Sequence, residues 1–214
     1  MSPQELSSPK PTMRGLLHEI AFFVSLMTGP ILVIVSRTSD RLGTGIYSVA
    51  LSAMFGVSAL YHRPDWRPSV RNWLRKLDHS MILVLIAGTF TPIALALHHN
   101  GLARVGLSIV WLVALAGTLA QMLPLSIPKP LVVIPYLALG WFGALLFPSA
   151  LRDFGVGSPL LLLIGGVLYT VGAIAYARRS PNPKPGIFGY HEVFHAFVIA
   201  AAASHYAAIA VAVA

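Results

Sequence analysis

Residues 189–197 read GYHEVFHAF, and they open a long apolar stretch. His191 and His195 stand four residues apart, so a helix there carries both on one face. SALYH at 58–62 closes another apolar stretch with His62, and Ser58 lies one helical turn before it. LDHS at 77–80 opens a third, with Asp78 and His79. Brought together, His62, His191 and His195 would supply three neutral imidazoles and leave one position for water, which is an open zinc shell. Asp78 would accept a hydrogen bond from that water or from a ligand imidazole, and Ser58 would do similar supporting work. Each residue also has a blander reading. A histidine pair at a helix end can simply pack or snorkel. Asp78 can cap its helix, and Ser58 can bond the carbonyl four residues before it. Glu192 is not read as a metalloprotease base. The chain has no cysteine. Disulfides and thiolate sites are therefore excluded, and a transition metal must use histidine and carboxylate.

These residues meet only if the apolar stretches bundle. The chain has 214 residues, 56% of them hydrophobic and 10% charged, with mean hydropathy +0.75. Soluble domains carry about 25% charged residues, so the expectation is an all-α integral membrane protein. Stretches of about 20 apolar residues can span a bilayer. Seven are found, at approximately 17–36, 43–62, 78–98, 103–123, 131–148, 159–177 and 190–212. Residues 1–15 are expected to be disordered and 16–214 to form a single seven-helix domain. Eleven of the 15 Lys and Arg fall before the first span or in the loops after the second, fourth and sixth. The positive-inside rule then places the N-terminus in the cytoplasm and the C-terminus outside. His62, Asp78, His191 and His195 all fall at the cytoplasmic end on that topology. The net charge of +8 is read as this loop bias and not as a nucleic-acid surface. The 63–77 segment, rich in Arg and Trp, is expected to be a loop along the anionic inner leaflet.

The pattern resembles the bacterial hemolysin III family, within the progestin and adiponectin receptor superfamily. The resemblance rests on SALYH at 58–62, LDHSMILVLIAGTFTP at 77–92, YLALGWFGALL at 136–146, GGVLYTVGAIAY at 165–176 and FGYHEVFHAFV at 188–198. It implies a multi-pass protein of the bacterial inner membrane. It also implies a Zn²⁺ held by His62, His191 and His195, with Asp78 and Ser58 beside it as the catalytic pair. One departure lies in HEIAFFVSLMTG, where Phe22 and Leu26 occupy positions that are often Asn and His in the family.

A zinc in this setting polarises carbonyls and activates water, and a neighbouring carboxylate can act as base. The expected activity is hydrolysis of a lipid amide or ester, with membrane lipids as partners. The alternative is a sensor, regulator or cytolysin with a structural zinc. A pore calls for a polar stripe along several spans. The mid-span polar residues Ser48, Ser52, Thr89, Thr91, Thr118, Gln121 and Thr170 are instead scattered. His18 and Glu19 are expected to be interfacial anchors, as are Trp66, Trp73 and Trp111. His98 and His99 are read as solvated loop residues. His205 lies about 15 Å along the last helix from His195. It is expected to face the bundle interior, hydrogen-bonded to a neighbouring helix or lining a cavity.

Overall fold

An apolar stretch in lipid must satisfy every backbone N–H and C=O internally, so it forms a helix. The structure is a computed structural model that describes residues 10–123 and 129–213. Its helices are α1 (Leu16–Val35), α2 (Arg41–His62), α3 (Pro68–Ala96), α4 (Gly101–Met122), α5 (Lys129–Phe142), α6 (Phe147–Phe154), α7 (Gly157–Arg178) and α8 (Tyr190–Val213). Among the described residues there is no β-strand. Seven stretches are long and apolar enough to span a membrane. The fifth is Ile134–Phe154, in which a 3₁₀ turn at Gly143–Leu146 separates α5 from α6. Pro148 opens α6, where a missing N–H costs nothing.

α2 and α3 are the most buried spans; α1 packs on α2, α4 packs on α3, and α7 packs on α8. The outer surface is apolar, with Phe23, Met27, Ile34, Leu112, Leu119 and Val167 exposed, as a lipid-facing surface requires. Gly88 permits a close approach of α3 to α2. A Cβ there would lie 2.6 Å from the Ala50 Cβ of α2, which is the role small residues serve between membrane helices. The C-terminal end of α8 lies beside the turn between α1 and α2. The Arg37 backbone N–H donates to Val213 O at 3.2 Å, and its guanidinium donates to Ala212 O at 2.7 Å. The two ends of the described chain therefore lie at opposite faces of the bundle.

Several expectations change. Of residues 1–15, residues 1–9 lie outside the described residues, whereas 10–15 are ordered. The Thr12 and Met13 N–H groups donate to Gly186 O and Ile187 O at 3.1 and 3.2 Å. The 63–77 segment is mostly helix and not loop, because α3 begins at Pro68. Its charges argue against membrane burial but not against helix, and proline at the first helical position favours a start there. Asp78 is therefore interior to α3 and caps nothing. Trp111 is midway along α4, where its indole N–H donates to Thr91 Oγ1 at 3.1 Å; it ties α4 to α3 and does not anchor an interface. The scattered polar residues mostly bond within the bundle. Ser48 donates to Thr44 O, Thr89 to Leu85 O and Thr170 to Gly166 O. Gln121 donates to the Tyr136 hydroxyl. His98 and His99 are exposed. His205 shares a 3.1 Å hydrogen bond with Leu162 O of α7, the helix-to-helix contact expected of it.

Gly88→Ala should lower the melting temperature in detergent by the equivalent of about 1–3 kcal/mol, the usual cost of overpacking. Gly140→Ala is the control, because a Cβ there meets nothing within 4 Å. It should be neutral or slightly stabilising. Equal effects of the two substitutions would show that α2 and α3 do not pack as described.

Candidate metal centre

Four helices bring polar side chains to the end of the bundle where α1 begins. α2 ends in His62, and α8 begins with Tyr190 and His191. The Nε2 atoms of His62 and His191 face each other at 3.3 Å. Donor atoms of His62, His191 and His195 all lie within 4.8 Å of one another. Asp78 Oδ2 of α3 is 3.9 Å from His62 Nε2. Ser58, one turn above His62, lies beside Asp78. The five residues singled out from the sequence are therefore brought together. His79 is not part of the cluster; its backbone carbonyl accepts from the Tyr136 hydroxyl at 3.2 Å.

The donor set fits a small divalent ion. Bonds of about 2.0–2.1 Å at tetrahedral angles place two imidazole nitrogens roughly 3.3 Å apart, which matches the separation of His62 and His191. Without a cation between them, one nitrogen of a neutral pair must carry a proton toward the other. His62 and His195 are buried, and His191 is half-buried. The site is thus shielded and compact, with histidine donors suited to zinc.

Two features escaped the sequence reading. The first is the role of Glu192. HEVFH has the order and spacing of a metalloprotease His-Glu-x-x-His motif, in which the glutamate is the base. Here both carboxylate oxygens are engaged elsewhere. Oε2 accepts the Gly189 N–H at 2.8 Å, a capping-box contact at the start of α8. Oε1 accepts from Arg14 Nε at 2.5 Å. Glu192 is 1% exposed, so a partner for its charge is obligatory. Arg14 belongs to the ordered strap 10–15, which crosses this end of the bundle. Lys10 Nζ donates to Arg63 O at 2.9 Å. Gly15 turns the strap into α1 with φ of 79°. A Cβ at Gly15 would lie 2.7 Å from the His62 Cβ. Positive φ and this close approach together require glycine.

The second is His18. Expected at the interface, it is 3% exposed and stacked on the His195 ring, with centroids 3.8 Å apart and planes 1° from parallel. Its Nδ1 shares a 2.8 Å hydrogen bond with Ser58 Oγ. The signal was available: His18 opens the first span at the same end as His62 and His191. Glu19 fits its expectation better, pairing with Arg63 at 2.8 Å where both side chains are partly exposed.

The fold and the cluster define a membrane protein of seven apolar spans with a largely buried trihistidine cluster at one end. The family described as Haemolysin-III related matches residues 6–206, and the chain belongs to it. It is 28% identical to "Hemolysin-3 homolog" of Bacillus subtilis (strain 168), over 89% of this chain and 88% of that one. It is 29% identical to "Monocyte to macrophage differentiation factor" of Homo sapiens, over 79% of this chain and 70% of that one. It is 26% identical to "Adiponectin receptor protein" of Drosophila melanogaster, over 79% of this chain and 42% of that one.

Arg14→Met should destabilise the protein by about 3 kcal/mol, because it leaves a buried carboxylate without its partner. The low end of the usual range applies because the Arg14 side chain is 22% exposed. Adding Glu192→Gln should recover part of the loss, since the amide removes the charge and can still accept the Gly189 N–H. Thermal melts of the single and double variants in detergent check this. An unchanged melt for Arg14→Met would contradict it.

Proposed function

We propose that His62, His191 and His195 hold one zinc ion, and that the site hydrolyses an amide or ester bond of a membrane lipid. The observation that supports this reading is the convergence of three imidazoles within 4.8 Å beside a carboxylate that takes no part in capping its helix. When bound there, zinc would supply a Lewis acid and lower the pKa of water toward neutrality. Asp78 Oδ2 would accept the proton released on attack, and Ser58 would hold that carboxylate in place. The strap 10–15 and the Arg14–Glu192 pair would restrict bulk water at this end. A lipid is the natural substrate class because the outer face of the protein is apolar and the site lies at one end of the spans. The basic bias of this end would place it in the cytoplasm, with the C-terminus outside, in the inner membrane of a bacterium.

A second reading keeps zinc as a staple in a sensor, regulator or cytolysin. The name of the Bacillus subtilis relative suggests the last. This reading gains support because α2 packs chiefly on α1 and α3, and α8 chiefly on α7. The histidines would then be a main tie between α2 and α8.

Purified protein should carry one zinc per chain, and the triple alanine variant at His62, His191 and His195 should carry none. Equal zinc in both would sink the site. Asp78→Asn should still load one zinc at saturating metal, with weakened affinity, and should abolish release of fatty acid from a long-chain lipid amide or ester. Under the staple reading, wild type releases none, and chelation lowers the melting temperature by removing a ligand of the folded state. Dye leakage from vesicles would identify a cytolysin.

A C-terminal reporter active only outside the cytoplasm should confirm the orientation. Cytoplasmic activity of that fusion would reverse it.

A further inference from the structure

We propose that His18 is a positioning residue of the histidine site, acting on the Asp78 side of the pocket through Ser58. The inference rests on the reading of His62, His191 and His195 as metal ligands. None of those ligands comes from α1, yet α1 places one imidazole against two members of the site. The His18 ring lies parallel to the His195 ring at 3.8 Å and meets Phe55 edge-on at 5.1 Å. It is thereby held between α8 and α2. Its Nδ1 is 2.8 Å from Ser58 Oγ, and its Nε2 is buried with no hydrogen-bond partner among the described residues.

That asymmetry selects a tautomer. With the proton on Nε2, the ring would bury an unpaired N–H donor, which costs about 1–3 kcal/mol. With the proton on Nδ1, the ring donates to Ser58 Oγ and leaves only a bare acceptor at Nε2. The Ser58 hydroxyl proton is then free to point toward Asp78, the acidic side chain beside it. The result is a directed line in which His18 donates to Ser58 and Ser58 donates to Asp78. The carboxylate in turn lies 3.9 Å from His62 Nε2. α1 thus fixes the orientation of the pocket's carboxylate without touching the metal position. Partners at this remove from a metal typically contribute 10–100-fold in its affinity.

The replacements separate bonding from packing. His18→Phe keeps a flat ring on His195 and loses the donor. His18→Asn places an amide N–H near the position of Nδ1 and loses the ring. Ser58→Ala removes the middle of the line. Zinc affinity is read by competition with a chromophoric chelator, and the geometry of the site by the visible absorption of the Co²⁺-loaded protein. His18→Phe and Ser58→Ala should each weaken zinc binding about 10–100-fold and shift the cobalt bands alike. The double variant should be no worse than the weaker single, because both break one line. His18→Asn should recover much of the affinity.

Wild-type zinc affinity and an unshifted cobalt spectrum in His18→Phe would overturn the proposal. Additive losses in the double variant would also overturn it, by showing that His18 does not act through Ser58. So would a loss confined to the metal-free melting temperature, which is the mark of a packing residue. Wild-type protein that binds neither zinc nor cobalt would instead overturn the metal reading, and the role of His18 with it.

Discussion

Three imidazoles facing one another at the end of a membrane bundle set the terms for the rest of this protein. Polar groups at this depth are costly unless they pair or hold an ion. The cluster draws on α2 and α8, whose histidines lie 129 positions apart in sequence at the His62–His191 contact. Neither helix can shift by a turn without losing it. Glu192 and Gly189 fix where α8 begins, Gly15 fixes how α1 arrives, and His18 packs against the His195 ring.

The remainder of the bundle treats its polar groups conservatively. Most serines and threonines in the spans donate to carbonyls of their own helices, and Ser204, Trp111, Trp141 and Tyr206 reach across to neighbours. Hydrogen bonds of this kind hold helices together where lipid removes any hydrophobic incentive to associate. They also leave few polar groups uncommitted in mid-membrane. The uncommitted chemistry is concentrated at the end that carries the strap, the trihistidine cluster and Asp78.

The spans were legible in the sequence because twenty apolar residues in lipid have few alternatives to a helix. Five of the seven begin and end within two residues of where hydropathy placed them, while the fifth ends six residues later and α3 begins ten residues earlier. Hydropathy reports where the membrane begins, and Arg71, Arg75 and Lys76 say nothing against a helix that projects beyond it. His62, Asp78, His191 and His195 were legible because one topology put them at one depth. The same reasoning applied to His18, yet a histidine near a helix start has an ordinary interfacial explanation, and only its contact with His195 shows otherwise. The Arg14–Glu192 pair was out of reach. It joins residues 178 apart through a six-residue strap too short and too polar to give a periodic signal.

The central claim is that His62, His191 and His195 form a site that an ion fills with three nitrogen ligands. X-ray absorption at the zinc edge of the purified protein in detergent tests this most directly. The account predicts a four-coordinate centre with three histidine nitrogens at about 2.0–2.1 Å and one further light atom. Absence of zinc from the protein, or a six-coordinate oxygen environment typical of adventitious surface binding, would contradict it.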